Sequence, residues 1–148
     1  FYEFYENLKF LNKISKLYNL KVVVKLHPSE SYNLPDLSKI FKNINFSNLS
    51  LDKILKKSSV TLSFSSTVIE DSLNSRVPVI LFDRWNRYKH FEVSKYRGKK
   101  FPIFYINNKN KLLNCINQIM KTSKFEFEDI IFLKNFKKNI KQNISNLI

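Results

Sequence analysis

His27 and Pro28 close the run V-V-V-K-L-H-P-S-E (Val22 to Glu30), whose apolar start has the composition of a buried strand. About forty residues further on, the run Val60 to Phe64 ends in Ser65-Ser66-Thr67 and leads into V-I-E-D, the opening of a helix. In an open parallel sheet the carboxyl ends of the strands share one edge, and ligands bind there. An imidazole, several hydroxyls and the free N–H groups of a helix start all donate to anionic oxygen. The chemistry indicated is capture of a phosphate, which points to a nucleotide-using enzyme half.

Each of these residues also has a structural reading. An imidazole beside a diphosphate can donate to a nonbridging oxygen, and the anion favours its charged form. Pro28 fixes the chain as it leaves the strand and limits where that ring can point. Alternatively, His27 bonds a neighbouring loop carbonyl. Phosphate contact falls on Ser65 or Ser66, whereas Thr67 suits the N-cap, with Glu70 at capping-box spacing. Glu70 either reciprocates that cap or accepts ribose hydroxyls, and Asp71 reads as solvent-exposed.

Asp83, Arg84 and Arg87 follow the apolar run Val77 to Phe82 and so fall at the same edge. Arginine forks onto phosphate or carboxylate, or here pairs with Asp83 at the surface. Trp85, Tyr88, His90 and Phe91 either wall a base or sugar or bury their own loop. Lys25 alternates with apolar residues of its strand, and little favours a catalytic role for it. The only glycine is Gly98, which excludes Gly-rich dinucleotide and Walker-type loops, and no G-x-S-x-G elbow occurs. No carboxylate is expected in an apolar pocket of the kind that raises its pKa, so no general base is identified.

The elements that position these residues follow from apolar periodicity. Phe4, Leu8, Leu11, Ile14 and Tyr18 predict a helix ending before Asn19. A strand is expected over Leu20 to Leu26, a polar loop over Ser29 to Pro35 and a helix from Asp36 to Phe41. Ile44 to Ser47 forms a short strand, and Leu51, Ile54 and Leu55 mark a helix that Ser50 can cap. Strands follow at Val60–Phe64, Val77–Phe82 and Pro102–Ile106, with a helix from Thr67 to Asn74 between the first two. The segment from Asp83 to Lys100, long, charged and aromatic, reads as a functional loop. Lys109 to Met120 forms a helix with Leu112, Leu113, Ile116, Ile119 and Met120 inward. A last helix carries Ile130, Leu133, Phe136, Ile140, Ile144 and Leu147 on one stripe. This alternation specifies an α/β fold, a Rossmann-like open parallel sheet flanked by helices. Residues 1–121 form the nucleotide-binding domain, and 122–148 a C-terminal helix that packs on it or crosses to another domain.

At 148 residues the chain suffices for one domain with a sizeable core. A hydrophobic share of 43% with 15% aromatics argues against disorder. The formal charge of +14 raises the question of nucleic acid. The lysines, however, spread along nearly every expected helix, without a dense tract or interleaved stacking aromatics. They read as a solvated face, or as attraction for an anionic donor, polymer or membrane surface, and not as nucleic-acid recognition. Eighteen asparagines and twenty-two lysines reflect a codon bias, so single Asn or Lys residues carry little weight. Cys115 is expected as a small core residue. No cysteine framework or metal-ligand cluster is present, which fits a reducing cytoplasmic setting. No apolar stretch approaches transmembrane length. The opening F-Y-E-F-Y-E is not a signal peptide, and its abrupt helical start reads as a piece of a longer chain.

Three segments together carry a family resemblance: K-L-H-P-S-E (Lys25–Glu30), S-F-S-S-T-V-I-E-D-S-L (Ser63–Leu73) and R-V-P-V-I-L-F-D (Arg76–Asp83). Over roughly residues 5 to 120 the chain resembles the carboxyl-terminal half of bacterial GT-B glycosyltransferases. It is most similar to those using CMP-activated acidic sugars, the sialyltransferases, polysialyltransferases and capsule enzymes. The resemblance implies that His27 of the His-Pro motif and the paired Ser65 and Ser66 contact the CMP phosphate. It implies no tightly bound cofactor, a CMP-sugar donor as substrate and a glycan acceptor. It further implies a companion N-terminal domain holding the acidic base, and work in the cytoplasm at the inner face of the plasma membrane. Without that companion the chain is expected to bind donor weakly and catalyse nothing. Teichoic-acid glycerophosphotransferases, which use CDP-glycerol, are similar in the same two places. A non-catalytic phosphate- or polyanion-binding module, or another sugar-nucleotide enzyme such as an epimerase with the same double-domain plan, also stands open.

Overall fold

A computed structural model of the chain describes residues 2–27, 34–63, 67–85 and 100–127. The chain divides into two compact units, Phe1–Leu51 and Asp52–Ile148. In the first, helix α1 (Tyr2–Tyr18) precedes strand β1 (Val22–Val24), helix α2 (Leu34–Ile40) and strand β2 (Ile44–Phe46). Glu3 in its first turn and Lys16 in its last complement the dipole of α1. The helix stops where Asn19 turns left-handed, at φ 51°, and the Leu20 N–H reaches back to Ser15 O at 3.0 Å. Asparagine tolerates that conformation better than most residues, and the bond satisfies a carbonyl the helix leaves over.

Strands β1 and β2 pair in parallel, with Val22 opposite Ile44 and Val24 opposite Phe46. The β1 ladder is shorter than the apolar run Leu20–Leu26, because its partner offers only three residues before Ser47. Leu26 lies beyond the ladder yet is buried, packed with Leu8, Leu37, Phe41 and Ile44. Tyr5 meets Phe41 edge to face, with ring centroids 5.2 Å apart. Helix α2 begins at Leu34 rather than Asp36, which puts Pro35 in the first turn, where its missing N–H costs nothing.

The second unit opens within helix α3 (Leu51–Leu55) and continues as β3 (Thr61–Ser63), α4 (Thr67–Asn74), β4 (Val79–Phe82), β5 (Ile103–Ile106) and α5 (Lys109–Lys121). Its three strands lie in the order β3-β4-β5, all parallel. Thr61, Val79 and Ile103 share one row, and Ser63, Leu81 and Tyr105 another. As the middle strand, β4 is covered on both faces, which its run of apolar residues requires. Pro78 precedes it, and though proline lacks a donor, its carbonyl accepts from the Thr61 N–H at 2.9 Å. Leu73 and Ile69 of α4 pack with Val79, Leu81 and Ile103. The buried Ser72 fastens α4 to β3: its Oγ lies 2.7 Å from Val68 O and 3.0 Å from Thr61 Oγ1. Arg76 ends α4 in a left-handed conformation, φ 57°, with the Val77 N–H bonded to Ser72 O. A residue with a Cβ pays roughly 1–2 kcal/mol there, in a chain whose sole glycine lies elsewhere.

Asn108 caps α5, its side chain accepting from the Asn110 N–H at 2.8 Å. Leu112, Cys115 and Ile119 form the buried stripe of α5, but Met120, expected inward, is 60% exposed. At about 100° per residue, Met120 sits roughly 110° from the middle of that stripe. Beyond α5, Phe125 stands edge to face with Phe104, and Phe127 joins the cluster around Val79. The expected last helix falls in residues 128–148, outside the described residues.

Burial pushes the Cys115 thiol up to about 11. At pH 8 native Cys115 should therefore react with an aromatic disulfide roughly two hundredfold more slowly than in the urea-unfolded chain. Its rate should then climb about tenfold per pH unit toward pH 11. Equal rates in both states would show that the side chain is not buried.

Candidate functional site

Because β3, β4 and β5 run parallel, their carboxyl ends open on one edge of the second unit. That edge holds the amino end of α4, and Asp83 with Arg84 directly after β4. The leading N–H groups of α4 have no partner within the helix and carry its positive end. Ser65 and Ser66 occupy the junction between β3 and α4 in the chain. They lie outside the described residues, as do Pro28, the Thr67 side chain and the aromatic loop from 86 to 99. Glu70 is exposed on α4.

In the first unit, His27 follows β1 by three residues and is exposed. Leu26, sunk in the core, fixes the point at which the chain emerges. The imidazole thus stands at the carboxyl end of its strand, on the solvent side.

Asp83 is only 4% exposed, although the sequence suggested a surface pairing with arginine. Its backbone N–H donates to Ile106 O at 2.9 Å, and the Tyr105 hydroxyl donates to its Oδ2 at 2.7 Å. Asp83 is therefore a buried carboxylate held by polar partners, not a surface charge. Burial, then the bond to Asp83, pushes the Tyr105 phenol up to about 12. Arg84 stacks its guanidinium over the Trp85 ring at 4.8 Å. Among the described residues, Arg84 Nη1 is buried and has no hydrogen-bond acceptor.

Sequence reasoning missed Tyr105. Its register partner is Leu81, so Asp83, two residues on, projects from the same face one diagonal away. A tyrosine near the end of an apolar strand is a signal of a buried polar tip. Which group it meets depends on register, which the sequence does not reveal. Among the described residues no group of three or more His, Cys, Asp or Glu is placed to hold a metal ion.

The architecture is that of a Rossmann-like half-domain: parallel strands flanked by helices, with its open edge at the strand ends. Among solved structures the chain is similar to UDP-GlcNAc 2-epimerase from Methanocaldococcus jannaschii, with a TM-score of 0.58 and 16% identity. The match covers 87% of this chain and 40% of that one, so the chain spans about two fifths of the length of that structure. At such identity the likeness is one of fold. No family model and no curated protein matches the sequence.

Proposed function

We propose that the chain is the donor-binding half of a glycosyltransferase that moves a sugar from a CMP-activated donor to a surface-polysaccharide or oligosaccharide acceptor. The observation that carries this reading is the carboxyl edge of β3-β4-β5, where the amino end of α4 directly follows Ser65 and Ser66. Helix starts at strand ends suit phosphate. The motif resemblance supplies the nucleotide, and the similarity to a sugar-nucleotide enzyme agrees with the plan of the fold.

On this reading His27, Ser65 and Ser66 hydrogen-bond the CMP phosphate, with Pro28 setting the approach and Thr67, expected as the cap, standing instead as the first residue of α4. An acceptor hydroxyl attacks the anomeric carbon, the bond to the phosphate oxygen breaks, and CMP departs with the added charge. Donors placed around that oxygen stabilise the growing charge and speed departure. A carboxylate of the companion domain takes the hydroxyl proton. Such an enzyme works in the cytoplasm, where the basic surface attracts anionic donor, glycan or the inner membrane face. Among the described residues no helix is long and apolar enough to cross a membrane.

A second reading, a sugar-nucleotide epimerase of the double-domain plan, is favoured by the likeness to UDP-GlcNAc 2-epimerase. Calorimetry of the chain with CMP, UMP, UDP and CDP-glycerol separates them. The transferase reading expects CMP to bind at least about tenfold more tightly than UMP, a difference of roughly 1.4 kcal/mol. Preference for UDP would favour the epimerase, and for CDP-glycerol a glycerophosphotransferase. Equal, salt-sensitive binding of every anion would indicate a polyanion module. Failure to bind any of the four overturns the proposal.

A further inference from the structure

The cluster around Asp83 is built more tightly than a loop of surface charges would be. The Asp83 backbone is tied to Ile106 and its carboxylate to Tyr105, so both the chain and the side chain are fixed one residue before Arg84. The guanidinium is then laid on Trp85. Arg84 is half-buried, and among the described residues its Nη1 is buried and lacks an acceptor. A buried N–H on a charged group is destabilising until an acceptor arrives. The neighbouring carboxylate oxygen Oδ2 is already engaged by Tyr105. Arg84 directly follows Asp83, the residue after β4, at the edge where open parallel sheets take their ligands. The planar guanidinium matches the oxygens of a phosphate or carboxylate.

We infer that Arg84 is a receptor for a substrate oxyanion, and that Tyr105, acting through Asp83, is the positioning residue that holds it ready. The identity of the substrate as an activated sugar rests on the donor-binding reading, whereas the receptor itself does not. Two sources supply the oxyanion: the phosphate of the nucleotide or the carboxylate of an acidic sugar. Asp83 then serves to anchor Arg84 and is not itself a ligand contact.

Trp85 is the only tryptophan in the chain and lies against Arg84, so its fluorescence reports on the site. The 148-residue chain would be titrated with inorganic phosphate, CMP and glucuronate at constant ionic strength. A saturable change in Trp85 emission is expected with at least one of them. Response to phosphate and CMP identifies the phosphate source, and response to glucuronate the carboxylate. Arg84→Gln should abolish the response while leaving the thermal midpoint nearly unchanged, since loss of the unmatched guanidinium N–H offsets loss of the stacking on Trp85. Tyr105→Phe should weaken the responding ligand roughly tenfold. If Tyr105 acts through Arg84, adding Tyr105→Phe to Arg84→Gln should cost no further affinity for the responding ligand measured by calorimetry.

Absence of any Trp85 response, or wild-type titrations by Arg84→Gln, overturns the inference even if Tyr105→Phe does not fold. Full affinity of both variants for the ligand that moves Trp85 emission, with CMP still preferred over UMP, sinks this inference alone. A Trp85 response lost in Arg84→Gln, without preference for CMP over UMP, sinks the transferase reading alone.

Discussion

Alanine at His27 is expected to weaken CMP binding about 10- to 100-fold, and the Ser65→Ala/Ser66→Ala pair by a comparable factor. A hydrogen bond to a charged group contributes roughly 1.5–3 kcal/mol, and each 1.4 kcal/mol is a factor of ten. His27 is exposed, so its loss should change folding stability by less than about 1 kcal/mol. Binding and folding are thereby separable in one variant. Calorimetry gives the affinity and a thermal melt the stability. Retention of full CMP affinity by both variants would remove the proposed phosphate contacts, whatever else binds the nucleotide. The contrast with Arg84→Gln is informative. His27 and the serines are assigned to the nucleotide phosphate, whereas Arg84 takes whichever oxyanion the Trp85 titrations identify.

The largest effect on stability is expected at Ile80. It is 0% exposed in the middle strand β4, hydrogen-bonded to a strand on either side. Ile80→Ala removes three carbons from a site walled by backbone that cannot collapse freely. Substitutions of this kind cost about 2–5 kcal/mol. A value near 4 would take away a large part of the roughly 5–15 kcal/mol that folds a domain. In a chain of this size it should lower the melting midpoint by about 10 °C. Val23→Ala serves as the control. That residue is 39% exposed on β1, and its truncation should cost no more than about 1 kcal/mol. Similar losses at both positions in urea melts would contradict the packing described for β4.

The order of elements was legible in the sequence because helix and strand leave different apolar periods. Helix α4 runs from Thr67 to Asn74 as its pattern indicates, and α5 begins at Lys109 as expected. Cys115 is buried, as an apolar helix position suggests. The parallel α/β class followed from the same alternation. Strand lengths were less legible: β1 keeps three residues of the seven in its apolar run, since a ladder is only as long as its partner allows. Met120 turned outward because an apolar residue at the margin of a stripe is indistinguishable, in sequence, from one at its centre. His27, Asp83 and Arg84 stand at strand ends, as their places after apolar runs imply.

What the sequence determined by itself is therefore the succession of helices and strands, and with it which residues stand at strand ends. Local apolar patterns and turn-forming residues encode both. Only the tertiary structure decided that Tyr105 meets Asp83, that Arg84 is left with a buried donor, and that Arg76 rather than a glycine turns the chain after α4. These depend on strand register and on the packing of residues far apart in the chain, where a shift of one residue would carry Tyr105 to the opposite face.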